Sequence, residues 1–156
     1  MSKSKSLEFV LPHPLHPKQE KFLIALLSGR FRIVACVGGR QFGKSSIGAI
    51  SLVTLVLKNW SLPYAAYIAA APSYKIMQGG MMQAFTKVAD PLKLGTYHKQ
   101  DKEYRFKNGH RVYFRSMDGE HSAEGVTDVQ GVWADEAGQY PYAGWIQLQA
   151  RCSPNM

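Results

Sequence analysis

The run F-R-I-V-A-C-V-G-G-R-Q-F-G-K-S-S, Phe31 to Ser46, constrains the fold more than any other part of the chain. A short β-branched and apolar segment leads into glycines, and these lead into K-S-S-I-G-A-I-S-L-V-T-L-V-L-K-N-W, which is apolar on most of its faces. A compact apolar run that stops at glycine predicts a buried parallel strand entering a tight turn, and the longer one predicts a buried helix. Strand, glycine loop and helix in that order open an α/β unit.

Within the turn, Gly38, Gly43, Lys44 and Ser45 stand at the G-x-x-x-x-G-K-[ST] spacing. Such loops turn backbone N–H groups inward around phosphates, while the following helix aims the positive end of its dipole at them. Lys44 is then placed to reach the β- and γ-phosphates and Ser45 to ligate Mg²⁺. The predicted nucleotide contacts are Gly38, Gly39, Arg40, Gln41, Phe42, Gly43, Lys44, Ser45 and Ser46. Arg40 and Gln41 are large where many such loops carry small residues.

The alternation of strand and helix continues. A-A-Y-I-A-A-A, closed by Pro72-Ser73, predicts a second buried strand, and K-I-M-Q-G-G-M-M-Q-A-F-T-K-V-A predicts a helix weakened by its glycine pair. E-Y-R-F-K-N-G-H-R-V-Y-F-R-S predicts an antiparallel hairpin about Asn108-Gly109. V-Q-G-V-W-A-D predicts a further strand and Y-A-G-W-I-Q-L-Q-A a short final helix. Upstream, P-K-Q-E-K-F-L-I-A-L-L-S-G predicts a helix with Pro17 in its first turn and Gly29 as its stop.

At 156 residues the chain has room for one ordinary domain, and 46% hydrophobic against 19% charged residues places it in the folded class. Ser/Lys alternation followed by prolines predicts a flexible basic arm over residues 1–12, with the domain over 13–156. Two cysteines without C-x-x-C spacing, and no signal-peptide or membrane-length apolar run, fit a reducing intracellular setting. The net charge of +8 attracts polyanions.

The strand V-Q-G-V-W-A ends in the carboxylates Asp135 and Glu136. Ligands of open α/β sheets bind at the carboxyl ends of strands, so this pair and the glycine loop should converge on one edge. Asp135 is the candidate Mg²⁺ ligand and Glu136 the candidate base that polarises an attacking water. Gln19 is a further candidate, because an amide can donate to and accept from an adenine edge at once. D-G-E-H-S-A-E, Asp118 to Glu124, lacks the register of a metal-binding loop and reads as a solvated turn. His13, His16, His98, His110 and His121 are scattered and expected at the surface.

Together P-K-Q, G-G-R-Q-F-G-K-S and V-W-A-D-E-A resemble the N-terminal ATPase domain of the large terminase subunit, the DNA-packaging motor of tailed bacteriophages. The resemblance implies an ASCE-type P-loop NTPase with a mainly parallel central sheet, flanking helices and an antiparallel hairpin. It implies ATP and Mg²⁺ as cofactors, and hydrolysis that drives double-stranded DNA into a procapsid. Portal protein, small terminase subunit and a homo-oligomeric ring are the implied partners, in the cytoplasm of a bacterial host and away from membranes. Arg40 matches the family's loop arginine, which supplies positive charge near the γ-phosphate, so the implied catalytic set is Glu136, Arg40 and Lys44.

The sequence also departs from the family. Glu124 stands where an arginine before glycine is common, which leaves Arg115 as a substitute for a trans-acting arginine. The chain is expected to be truncated after the Asp135 strand, without the coupling strand and without nuclease activity. Two other readings stay open. One is a helicase-like ATPase fragment, although Gln41 stands where DEAD-type loops have glycine; the other is an assembly module that binds nucleotide with little turnover. Candidate DNA contacts are Lys107, His110 and Arg111 of the hairpin and Lys3 and Lys5 of the arm.

Overall fold

A computed structural model of the chain describes residues 10–11, 13–39, 41–119 and 124–152. At its centre lies Ala66–Ala71 (β1), all of whose residues are buried. Small side chains let helices approach it from both sides, and the faces alternate with period two. Tyr67, Ala69 and Ala71 enter the larger core cluster, whereas Ala66, Ile68 and Ala70 enter a smaller one on the opposite face.

Two parallel neighbours flank β1, namely Arg111–Ser116 (β4) on one side and Val129–Ala134 (β5) on the other. Beyond β4 come Glu103–Phe106 (β3) and Gly95–His98 (β2), both paired antiparallel, so the strand order is β2-β3-β4-β1-β5. The sheet is therefore mixed, where a mainly parallel one was expected. The hairpin is the reason, because it recruits β2 as an additional antiparallel strand. Gly95–His98 gave no strand signal of its own, being short with Tyr97 as its one large apolar residue.

The hairpin turns where Asn108-Gly109 predicted. Gly109 takes φ 91°, its N–H donates to Phe106 O at 3.0 Å, and His110 N–H donates to Asn108 Oδ1 at 3.1 Å. A register shift between Ala66 and Tyr67 in the β1–β5 ladder lets Val129 face the smaller cluster and Trp133 the larger.

The helices are Pro17–Leu27 (α1), Lys44–Lys58 (α2), Tyr74–Ile76 (α3), Met82–Ala89 (α4) and Tyr142–Arg151 (α5). Between α3 and α4 the glycine pair sits in a π-helical turn, Met77–Met81, so the expected weak point is a widened turn and not a break. α2 and α4 cover one face of the sheet, where Phe85 meets Tyr104 and Phe114 edge-on at 5.3 and 5.4 Å between ring centres. Leu11 and Leu15 pack against the same cluster. The other face is covered more thinly, by Met117, Val126 and Leu148.

Two expectations are overturned. Residues 31–37 form no strand: they enter none of the ladders, Val37 is 94% exposed, and Phe31 and Ile33 are exposed as well. An apolar β-branched run becomes a strand only where its backbone groups pair with a neighbour's, and residues 31–37 pair with none of the described strands, the free edge of β5 included. Its course is held instead by the Arg32 guanidinium, which donates to Gln149 O at 3.3 Å and Cys152 O at 3.4 Å, and by Cys36 packing on the core.

The second is His110, expected at the surface and as a DNA contact. It is 0% exposed. Its ring lies between Trp60 and Tyr67, and its Nε2 is 3.1 Å from Leu62 O. Past the Asn108-Gly109 turn, His110 falls in step with Val112 and Phe114, the inward-pointing positions of β4. Lys3, Lys5, His121 and most of the arm lie outside the described residues.

Candidate functional site

β1 and β5 run parallel, so their carboxyl ends share one edge of the sheet, and there the chain leaves β5 through Asp135 and Glu136. Asp135 N–H donates to Ala70 O at 2.9 Å and extends the ladder by one rung. The amino end of α2 lies over the same edge. Gly43 precedes it with φ 77° and ψ 31°, a left-handed conformation that costs other residues dearly.

Ser45 Oγ donates to Asp135 Oδ2 at 2.9 Å. That contact joins two motifs 90 residues apart. It requires α2 to lie close on β5, and Gly48 provides the approach: a Cβ there would stand 2.2 Å from Trp133 Nε1. Lys44 folds back across the loop, donating from Nζ to Gly38 O at 2.9 Å. Gln41 holds φ 69°, a left-handed backbone in a residue other than glycine. Gly38, Gly39 and Phe42 complete the described loop, and Arg40 lies outside the described residues.

The loop is braced from the α1 side. Gln19 is buried, and its Oε1 accepts from His16 N–H at 2.9 Å in a capping box while its Nε2 donates to Phe42 O at 3.0 Å. Those two bonds use one N–H and one lone pair of the amide. The His16 ring meets Phe42 edge-on at 5.7 Å, and His13 Nε2 lies 2.8 Å from Ser46 Oγ. Neither histidine was anticipated at the loop; a lone histidine carries no spacing signal.

The two carboxylates have opposite environments. Asp135 is 7% exposed, and burial raises its pKa above the ordinary carboxylate value. The hydrogen bond from Ser45 and the charge of Lys44 oppose that rise, and the neighbouring Glu136 charge adds to it. Glu136 is exposed and left-handed, at φ 52° and ψ 37°, and its carboxylate accepts from Gln139 Nε2 at 2.9 Å. Arg115 stands at the end of β4, two strands from the acidic pair. Its half-buried guanidinium donates to Phe114 O at 3.0 Å and lies over the Tyr113 ring, and burial lowers its pKa. Glu124 is exposed between β4 and β5.

These features define an α/β domain in which a glycine loop and a helix amino terminus face a buried carboxylate across one sheet edge. No known family model and no curated protein matches the sequence. Solved structures do share the fold. The large terminase from a thermophilic bacteriophage superposes with a TM-score of 0.77 over 92% of this chain and 37% of its own, at 19% sequence identity. The same terminase in complex with ADP gives 0.71 over 89% of this chain and 36% of its own, at 19% identity. In complex with ATP-gamma-S it gives 0.64 over 91% and 36%, at 20% identity. The chain thus has the fold of a segment of large terminase and spans just over a third of that protein's length. No helix among the described residues is long and apolar enough to cross a membrane.

Proposed function

We propose that the chain is an ASCE-type P-loop domain that binds and hydrolyses Mg-ATP, and that it belongs to the motor that packages viral DNA. The observation that carries this reading is the Ser45–Asp135 contact, which puts a hydroxyl and a carboxylate together at the amino end of α2. The likeness to a terminase solved with ADP and with ATP-gamma-S supports it.

The donor set fits the cofactor. Mg²⁺ favours hard oxygen ligands and takes one or two from protein, leaving the others to phosphate and water. Ser45 Oγ and Asp135 Oδ2 are such a pair. Bound Mg-ATP would supply the transferable phosphoryl group and the divalent charge that offsets its negative charge.

The chain's own residues divide the remaining work. The loop N–H groups and the α2 amino terminus bind phosphate oxygens. Lys44 exchanges Gly38 O for the β- and γ-phosphates, and Gln19 offers its remaining N–H and lone pair to the base. Glu136 orients water and takes its proton. Arg40 is proposed to stabilise charge at the γ-phosphate.

Double-stranded DNA is the proposed polymer that is moved, attracted by the net charge of +8 and by exposed Lys107 on the hairpin. Arg111 is the weaker hairpin candidate, lying 3.6 Å from Glu103. Portal protein, small terminase subunit and a ring of copies in the host cytoplasm are proposed from the resemblance alone.

Phosphate release at steady state, with and without double-stranded DNA, tests the reading. Glu136→Gln should abolish turnover and keep ATP binding, and Lys44→Ala should lose both. Turnover that survives Lys44→Ala would refute it. A nucleotide-binding module without turnover is the second reading, favoured by one observation: residues 31–37 lead into the loop without joining the sheet. Tight ATP binding with no phosphate release would select it.

A further inference from the structure

We propose that Tyr140 and Gln139 are positioning residues for the acidic pair, Tyr140 clamping the backbone of Asp135 and Gln139 the carboxylate of Glu136. The proposal rests on Asp135 and Glu136 being the hydrolytic pair.

The geometry begins at Glu136, whose left-handed backbone turns the chain back on itself directly after β5. A 3₁₀ turn, Ala137–Gln139, follows, closed by Gln139 N–H donating to Glu136 O at 2.9 Å and Tyr140 N–H donating to Ala137 O at 3.2 Å. The turn delivers two side chains back to the residues it has just left. The Tyr140 hydroxyl lies 2.6 Å from Ala70 O and 2.8 Å from Asp135 O, sharing its proton between them. Ala70 O also accepts from Asp135 N–H at 2.9 Å, so a single phenol closes the last rung between β1 and β5. Gln139 Nε2 donates to Glu136 Oε2 at 2.9 Å.

Asp135 has little else to hold its backbone. β5 is an edge strand with β1 as its one ladder neighbour among the described residues. The chain departs into a strained turn immediately afterwards, and strained conformations persist only where their surroundings over-determine them. The Tyr140 ring packs on the smaller core cluster, so Tyr140→Phe removes the oxygen and keeps the packing.

Positioning of this kind acts on the chemical step and not on nucleotide affinity, which the loop provides. Loss of one hydrogen bond that fixes reacting groups should lower kcat roughly five- to tenfold for Tyr140→Phe and about threefold for Gln139→Ala. KM for ATP should stay within about twofold, because the removed contacts touch no nucleotide. Hydrogen–deuterium exchange at the Asp135 amide should accelerate in Tyr140→Phe and be unchanged in Gln139→Ala. Wild-type kcat together with wild-type Asp135 exchange in Tyr140→Phe would overturn the proposal. So would parallel losses in kcat, affinity and melting temperature, which mark a structural role. If the wild-type chain neither binds nor hydrolyses ATP, the functional reading falls separately. The exchange measurement then still decides the clamp: faster exchange at Asp135 supports it and unchanged exchange removes it.

Discussion

Replacing Gly48 by alanine adds one methyl group at the point where α2 lies closest to the sheet. Its carbon would stand 2.2 Å from Trp133 Nε1, 2.3 Å from Cε2 and 2.8 Å from Cδ1. Carbon contacts are favourable near 3.5 Å, so the indole or the helix must yield by about 1.3 Å. Trp133 is 8% exposed within the larger core cluster, and a rigid ring in a close-packed interior has no spare rotamer space.

An overlap this deep falls in the upper part of the overpacking range, roughly 2–3 kcal/mol, and alanine's helix propensity returns about 1 kcal/mol. A net loss of roughly 1–2 kcal/mol should lower Tm by about 2–8 °C in a domain of this size. The displacement is also directional. Ser45 lies one turn earlier on α2, so lifting the helix from β5 opens the Ser45–Asp135 contact and should depress ATP turnover beyond the stability loss.

Thermal unfolding followed by circular dichroism gives the first quantity. A double-mutant cycle with Trp133→Leu gives the second, since the smaller side chain should absorb the methyl and leave a coupling energy of about 1 kcal/mol or more. A Gly48→Ala chain that melts at or above wild type, as propensity alone would dictate, refutes the reasoning.

Asp135→Asn should raise the melting temperature of the nucleotide-free protein at neutral pH in chelating buffer while abolishing turnover. The folded-state pKa of Asp135 is raised, so its contribution to stability is complete below the unfolded carboxylate value and is lost as pH rises through the folded one. The asparagine variant should lack that part of the decline in a pH series of melts. At Glu136, whose φ is 52°, glycine should be more stable than alanine by about 1 kcal/mol in denaturant titration, because only alanine carries the left-handed penalty. Both variants should be inactive. Gln19→Ala removes a capping contact and the support of Phe42 O, so urea unfolding should show a loss of about 1–2 kcal/mol. ATP affinity, read by titration calorimetry, should weaken in the same variant.

Much of the chain's order was legible because it is local. Pro17 and Gly29 bracket α1, Asn108-Gly109 turn the hairpin, and the alanine run at 66–71 forms the buried central strand. Each depends on turn chemistry or on a period carried within a few residues. The glycine turn, α2 and the strand ending in Asp135 were readable on the same terms, but their meeting at one sheet edge is a tertiary matter, shown by Ser45 on Asp135 and Gly48 against Trp133.

What failed was non-local. Residues 31–37 have the composition of a buried strand and lie outside the sheet, because a strand is completed by a neighbour's hydrogen bonds and not by its own side chains. β2 shows the converse, a weak sequence that becomes a strand because β3 offers it an edge. His110 is polar and buried because hairpin register, not composition, chose its side of the sheet.

By itself, then, the sequence determined which segments turn, which are helical, and which side chains are the candidates for phosphate and proton chemistry. Only the tertiary structure decided that Gly48 lets α2 down onto Trp133, that Gln19 braces the loop, and that Tyr140 closes over Asp135. Those contacts join residues distant in sequence or returned by a turn, and their energies exist only once the surfaces that carry them have been packed together.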